Sequence, residues 1–416
     1  MPDTGAWSHA SDSIEDRGSW IAASLALLIL AVGFGAPLIV VVGLKPIQQS
    51  LGVDRSVIAL AGSLTWIGTG LGGILMGWMA DRIGIRAATS IGGVMTAAGL
   101  VVAASGSVWG LYIGHGLLIG LLGNGAMYAP LLIYVSRWFD RRRGTALALI
   151  SSGQYVAGVV WPPLFQRGIG AFGWQDTMLA FAGVTLLLIL PLTLFTLRPA
   201  PEPIRIAASA GRSRQAPRTL GLPANVVQAM LCLAGFFCCV PMALPMAHLV
   251  AYCGDLGISA GQGAAMLSVL LASAFISRQF WGWFGDRAGG LRAVLAGSAC
   301  QCVAIACFLL TQNEAGLFLV SAGFGLGFAG IIPSYALAIR ELFPSSEASW
   351  RVPTLLFTAM TGMAFGSWLG GALYDHYGTY APAFAAGVVF NLANLVVVGS
   401  LVLRDRRPQW LAPAAA

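Results

Sequence analysis

The chain has 416 residues, 57% of them hydrophobic and only 9% charged, with a mean hydropathy of +0.79 and a formal net charge of +7. A soluble domain carries roughly 25% charged residues, so this chain cannot clothe a water-facing surface and a soluble globular fold is excluded. The excess positive charge is spread over short segments rather than gathered in a soluble module, so nucleic acid is not an expected partner.

A bilayer core of about 30 Å takes about 20 helical residues to cross. Residues 1–19 read as a polar N-terminal tail, and six apolar runs of spanning length follow at 20–44, 56–80, 87–107, 109–136, 145–168 and 174–197. Asp12, Glu15, Asp16 and Arg17 precede the first run, whereas a secretory signal has a basic start and a shorter apolar core. The run is therefore read as the first membrane helix. Residues 198–223, rich in Pro, Arg and Ser and without an apolar period, read as a flexible linker. Six more runs lie at 224–252, 262–285, 291–311, 314–341, 351–375 and 379–403, before a tail at 404–416. The expected fold is an all-α membrane protein of twelve transmembrane helices in two six-helix bundles, 20–197 and 224–403. A single chain holding both bundles is expected to work as a monomer.

Arginine placement sets the orientation. With the N-terminus cytoplasmic, nineteen Arg fall on cytoplasmic segments, and only Lys45, Arg55 and Arg167 fall on outer ones. The expected location is a bacterial inner membrane, multi-pass, with both termini cytoplasmic. The seven cysteines all lie in the second half without zinc spacing, and the Gly-rich runs read as helix-packing surfaces rather than phosphate cradles. No metal or cofactor is called for, and the absence of a deep His, Asp or Ser constellation argues against an enzyme.

GWMADRIGIR at 77–86 recurs as GWFGDRAGGLR at 282–292, with Gly, Trp, Asp and Arg 205 residues apart. The Gly-rich fourth run also resembles the tenth, each with a proline toward its inner third. A six-plus-six repeat around a basic linker places a ligand near mid-bilayer between the halves. Gly77, Asp81, Arg82, Gly84 and Arg86 form a G-x-x-x-D-R-x-G-x-R pattern that resembles the cytoplasmic loop motif of the major facilitator superfamily. Asp16-Arg17-Gly18-Ser19-Trp20 resembles the helix-1 entry of the monocarboxylate transporter branch. Trp138-Phe139-Asp140-Arg141-Arg142-Arg143-Gly144, continuing through Ala146, Ala148, Ser152 and Gly153, resembles its helix-5 signature, much of which oxalate/formate exchangers share. The resemblance implies alternating access, with Asp81, Arg82, Asp286, Arg287 and Arg142 gating the cytoplasmic side.

Arg278 stands among Phe275, Ile276, Phe280, Trp281, Trp283 and Phe284 in the eighth run. A charge in hydrocarbon costs ~2.5–3.5 kcal/mol on insertion scales. Snorkelling toward the headgroups would lower that cost. All sixteen acids, however, lie in tails, loops or helix ends, so none is deep enough to pair with Arg278. A deep cation without a protein counter-ion suits an anionic ligand, and one guanidinium fits one carboxylate through two parallel hydrogen bonds. The resemblance implies the same role, an arginine of helix 8 holding the substrate carboxylate.

Two departures from the relatives narrow the substrate. Ala274 stands where animal monocarboxylate carriers have Asp, and Leu38 where they have Lys after Pro37. The Lys that oxalate exchangers use in helix 11 is also missing from residues 357–362. One deep positive charge suits a monoanion. Asn124 and Tyr128, four apart on one helical face, are expected to complete the hydrogen bonds of the carboxylate held by Arg278. Tyr335, Phe328 (placed on one face with Tyr335), Gln154, Leu38 and Phe357 complete the expected lining.

The function expected is secondary transport of small monocarboxylates of the lactate and pyruvate type; an inside-negative potential opposes anion entry by ~2.3 kcal/mol per charge per 100 mV, so concentrative uptake needs a proton or an exchanged anion, and the family resemblance implies proton symport. Oxalate/formate-type anion exchange is the alternative. A drug efflux carrier would usually place an embedded carboxylate for cationic drugs. A sensor on the same scaffold would bind ligand without flux.

Overall fold

A computed structural model describes residues 15–139, 142–197 and 220–405. Most of the linker expected at 198–223 lies outside these residues, as do nearly all of the two tails. The described residues form helices and no strand.

Among the described residues, eleven helices are long and apolar enough to cross a bilayer: α1 (Arg17–Val42), α2 (Arg55–Ala80), α3 (Ile85–Ala103), α4 (Val108–Ser136), α6 (Trp174–Thr196), α7 (Ala224–Asp255), α8 (Ala260–Ala288), α9 (Gly290–Leu310), α10 (Glu314–Leu342), α11 (Trp350–Tyr377) and α12 (Ala381–Arg404). The twelfth crossing, α5, consists of Arg143–Ser151 and Gly153–Phe172, which meet at Ser152 and include Gln154, Pro162, Pro163 and Arg167. Side chains such as Ile74, Leu187, Val303, Leu319 and Val396 are exposed around the outside. A continuous apolar exterior of this extent is a lipid-facing surface, and the chain is a multi-pass membrane protein.

Local chemistry explains the ends and breaks. Asp16 caps α1: the Ser19 N–H donates to its carboxylate at 2.7 Å, and the Asp16 N–H donates to the Ser19 hydroxyl at 3.3 Å. The Ser19 backbone N–H and, at 3.0 Å, the Ser19 hydroxyl both donate to the Asp16 carboxylate and hold its carboxyl below the usual range. Within α1, Pro37 has no N–H for the Gly33 carbonyl, and the helix breaks at Phe34, resumes at Gly35, and continues past Gly43 as a short helix, Leu44–Leu51. The run expected at 20–44 is thus a broken helix that reaches further.

The duplication read at 77–86 and 282–292 extends through both halves. Gly84 (φ 84°, ψ 158°) and Gly289 (φ 87°, ψ 156°) adopt the same left-handed corner between successive helices. One helix pair in each half crosses at its matching place. A side-chain carbon on Gly120 of α4 would lie 2.8 Å from the Thr65 carbonyl oxygen of α2; one on Gly325 of α10 would lie 2.1 Å from that of Leu270 in α8. Both partners are again 205 residues apart.

Helices α1–α6 pack among themselves, as do α7–α12, and the two groups join chiefly through α2 with α11, α5 with α8, and α1 with α7. The described chain begins and ends on one face of this assembly, the terminal face; the turns after α1, α7 and α11 lie on the opposite, far face.

Candidate substrate site

Between the two groups lie two adjoining chambers. The one nearer the terminal face, about 810 Å³, is lined by Tyr128, Arg278, Phe328, Ile332, Pro333 and Leu356 among others. The deeper one, about 730 Å³, is lined by Leu38, Val41, Thr65, Asn124, Leu271 and Ser367. Phe34, Trp66, Thr69, Gln154, Tyr155, Met246 and Met363 border both, so the chambers communicate.

Arg278 projects into the first chamber from α8 rather than into the lipid-facing surface, where its neighbours Ile276 and Phe280 are exposed. Its guanidinium carbon lies 5.3 Å from the ring centroid of Tyr155 in α5, a cation–π contact across the gap between the bundles. Its Nε is buried without a hydrogen-bond partner, and no acid is among the described residues lining either chamber. A half-buried guanidinium whose nearest partner is an aromatic face retains its fork of donors for an anion.

Most of the expected lining residues meet here. Tyr128 stands beside Arg278 and packs edge-on against Phe34 at 5.5 Å. Phe328 meets Tyr155 edge-on at 6.1 Å. Gln154 borders both chambers and Leu38 the deeper one. Asn124 is 1% exposed on the wall of the deeper chamber, with both amide atoms lacking a partner.

Two expected residues are placed elsewhere. Tyr335 is fully buried inside its own bundle, where its hydroxyl donates to Asn394 Oδ1 at 2.7 Å while Asn394 donates to Ser298 at 2.8 Å. The reason is a break in α10 at Ala329–Gly330, which disrupts the helical phase assumed between Phe328 and Tyr335. The break lets Trp281 pass close to Gly330, and the Trp281 indole N–H donates to the Leu326 carbonyl at 2.7 Å. The repeat register contains the missed signal: 205 residues before Tyr335 stands Pro130, whereas Tyr128 pairs with Pro333, which does line the chamber. Phe357 sits against Gly70 at the contact of α11 with α2 and lines neither chamber. Tyr155, Trp66 and Phe34, absent from the sequence expectation, are lining residues. Tyr155 was within reach, because a deep arginine without an acid needs an aromatic or polar neighbour and Tyr155 adjoins Gln154.

The far face is closed by a cluster built on Arg55 and Lys45, two of the three cations that the sequence places on outer segments. Arg55, at the start of α2 and 4% exposed in its side chain, forks onto Asp255 of α7 at 2.5 and 2.8 Å. Lys45 approaches the same carboxylate at 2.9 Å. Arg55 also donates to Gln48 at 3.1 Å and to the Tyr380 hydroxyl at 3.1 Å, with its guanidinium 3.6 Å from the Tyr374 ring centroid. The Asp375 carboxylate accepts the backbone N–H groups of Arg55 and Ser56 at 2.9 and 2.8 Å, the helix N-terminus position that favours an acid. Behind this layer a directed chain is complete. His248 Nε2 must donate to the Ser367 carbonyl at 2.7 Å, leaving Nδ1 to accept from the Tyr380 hydroxyl at 3.1 Å. The described hydrogen bonds and ion pairs between the bundles lie at mid-depth or on this side, including Ser63 Oγ to the Ala364 carbonyl at 2.6 Å.

At the terminal face, the expected gating arginines turn to their own helices. Arg82 lies 3.8 Å over Trp78 and Arg287 4.3 Å over Trp283, another pair matched across the repeat. Asp286 and Arg142 are exposed, and the Arg142 backbone N–H donates to Glu15. The side chain of Asp81 lies outside the described set.

The family profile of the Major Facilitator Superfamily matches residues 20–349 and 230–416, and the chain belongs to that superfamily. A protein named Monocarboxylate transporter 13 from Bos taurus is 27% identical over 78% of this chain and 75% of its own length. Human Monocarboxylate transporter 11 is 28% identical over 90% and 74%. The MFS-type transporter YcxA of Bacillus subtilis is 24% identical over 85% and 87%. Among solved structures, a bacterial homolog of the human lysosomal transporter Spinster, inward-facing and unoccupied, superposes with a TM-score of 0.74 at 14% identity, covering 94% of this chain and 98% of that one. A peptide transporter in complex with sulfate gives 0.72 at 16% identity, covering 97% and 96%. These similarities show the major facilitator fold and a chain related to transporters.

Proposed function

We propose that the protein is a secondary active carrier of monocarboxylates. The observation that carries this reading is Arg278: a guanidinium at the wall of a central cavity that offers no described acid and otherwise presents apolar or neutral side chains. One carboxylate satisfies its fork, whereas a dicarboxylate would leave a second charge unpaired in an apolar chamber. Relatives named monocarboxylate transporters support the same class.

The arginine distribution favours a cytoplasmic terminal face, and in that orientation the Arg55–Asp255 cluster closes the outer side. Transport alternates this closure with one at the cytoplasmic corners, where Asp81, Arg82, Asp286, Arg287 and Arg142 stand. Accumulating an anion against an inside-negative potential needs a proton or an exchanged anion, and proton symport is the coupling proposed. The proton travels with the substrate or on a group other than Arg278, whose guanidinium stays charged.

Counterflow of radiolabelled monocarboxylates in proteoliposomes tests the reading. Arg278→Lys keeps the charge and loses the bidentate fork, and should lower kcat/KM at least tenfold. Unchanged kinetics in that variant would mean that Arg278 does not hold the substrate.

A further inference from the structure

The cavity says more about the acid than its charge. This step rests on the monocarboxylate reading above and concerns the body of the molecule. The deeper chamber has no charged residue among its described lining. Its walls include Phe34, Leu38, Trp66, Met246, Leu271 and Met363. A three-carbon acid bound at Arg278 would leave that space as water against hydrocarbon and aromatic faces. Each methylene-sized group withdrawn from water there is worth about fourfold in affinity. Flat aromatic walls and adaptable methionine side chains suit a ring better than a short hydroxy or keto acid.

Asn124 supplies the second fixed point. It is 1% exposed, lines this chamber, and has neither a donor for its Oδ1 nor an acceptor for its Nδ2. Buried amides are ordinarily paired, and one left without partners marks a place where a bound group completes the bonds. Asn124 is one helical turn of α4 from Tyr128, which shares the first chamber with Arg278. Four residues of helix rise about 6 Å, so Asn124 stands one step further along the α4 wall than the residue that faces the chamber of Arg278. A phenolic hydroxyl can donate to Oδ1 or accept from Nδ2, so either orientation of the amide serves.

We infer that the preferred substrate is an aryl monocarboxylate, its carboxylate on Arg278, its ring in the deeper chamber, and a hydroxyl on the far side of the ring against Asn124. Lactate and pyruvate would then be poor substrates of this carrier, unlike the small acids expected from the sequence.

The test uses the full-length protein in proteoliposomes and measures counterflow of labelled lactate, phenylacetate and 4-hydroxyphenylacetate. Phenylacetate should exceed lactate at least tenfold in kcat/KM, and the para-hydroxyl should add a further factor of about five. Asn124→Leu should erase the difference between the two aryl acids. Ala247→Phe, which adds bulk to the deeper chamber, should lower the phenylacetate-to-lactate ratio at least tenfold. The unfolding temperature of each purified variant shows whether it is intact, and the comparison of the three acids on the unaltered protein stands by itself. Lactate equal to or better than phenylacetate would overturn the aryl inference while leaving the monocarboxylate reading in place. Equal rates for the two aryl acids on the unaltered protein would overturn the role of Asn124. Flux of none of these acids, with flux of a cationic or neutral solute, would overturn the monocarboxylate reading itself.

Discussion

Two tyrosines of the paired fourth and tenth helices show how differently one residue type is used. Tyr128 stands in the chamber with Arg278, while Tyr335 is sealed in a chain of buried polar groups with Asn394 and Ser298. Tyr335→Phe strands one acceptor of Asn394 in a dry interior, which should cost about 1–3 kcal/mol. Its expected outcome is a lower unfolding temperature in detergent with KM unchanged. Tyr128→Phe should do the reverse: stability is kept and KM for the carboxylate rises severalfold in counterflow, because a hydrogen-bonding group beside the guanidinium is lost. A rise in KM for Tyr335→Phe with no loss of stability would reassign it to the cavity. Arg278 was legible from sequence because the argument was one of inventory: every acid could be placed near a helix end without knowing any rotation. Tyr335 was misplaced because its position depended on helical phase carried across Ala329–Gly330, where the helix is interrupted. Asn124 shared a face with Tyr128 as expected, but its unsatisfied amide is visible only once its neighbours are in place.

At the scale of elements, hydropathy located the spans to within a few residues at most ends, because a bilayer rewards length and apolarity irrespective of packing. It could not show how tightly spans cross, which depends on which face of each helix its glycines occupy. The contacts of α4 with α2 and of α10 with α8 depend on direct backbone approach: a side-chain carbon on Gly72 would stand 2.2 Å from the Leu121 carbonyl oxygen, and one on Gly325 2.1 Å from that of Leu270. Neither oxygen can move without moving its helix. Gly120 is less crowded, at 2.8 Å from Thr65 O, although it is the repeat partner of Gly325. Gly325→Ala should therefore lower the unfolding temperature more than Gly120→Ala, and Gly72→Ala should behave like Gly325→Ala. Thermal unfolding of the three purified variants measures the order. A Gly120→Ala loss equal to the other two would mean that close approach does not set these packings. The break in α1 was signposted by Gly33, Gly35 and Pro37, but a hydropathy window averages over such residues.

Across the whole molecule, Asp255 is the charge that holds two cations of the opposite bundle, so its removal acts on the balance between conformations. Arg55 is almost fully enclosed, with an exposure of 4%, and Lys45 shares the same carboxylate. Asp255→Ala leaves both cations of the first bundle, side by side, without their counter-charge from the second, and an uncompensated buried charge costs roughly 3–5 kcal/mol. That cost is borne only while the far face is closed, so it moves the equilibrium toward far-face opening by two orders of magnitude or more. The expected readout is faster labelling from the far side of a cysteine introduced at Ser56. A covalent link should act in the opposite direction. A side-chain carbon on Gly62 of α2 would lie 3.6 Å from the Ser367 hydroxyl of α11, within disulfide reach for a cysteine pair. With Cys300, the one exposed native cysteine among those described, replaced by Ser, the double variant Gly62→Cys with Ser367→Cys should lose counterflow on oxidation and regain it on reduction. In the oxidised state, far-side labelling should cease, while a short monocarboxylate should still reach Arg278 from the terminal face, because Arg278 lies on that side of the link. Transport that continues in the quantitatively oxidised protein would mean that the far face does not have to open, and alternation between the two closures could not be the transport cycle.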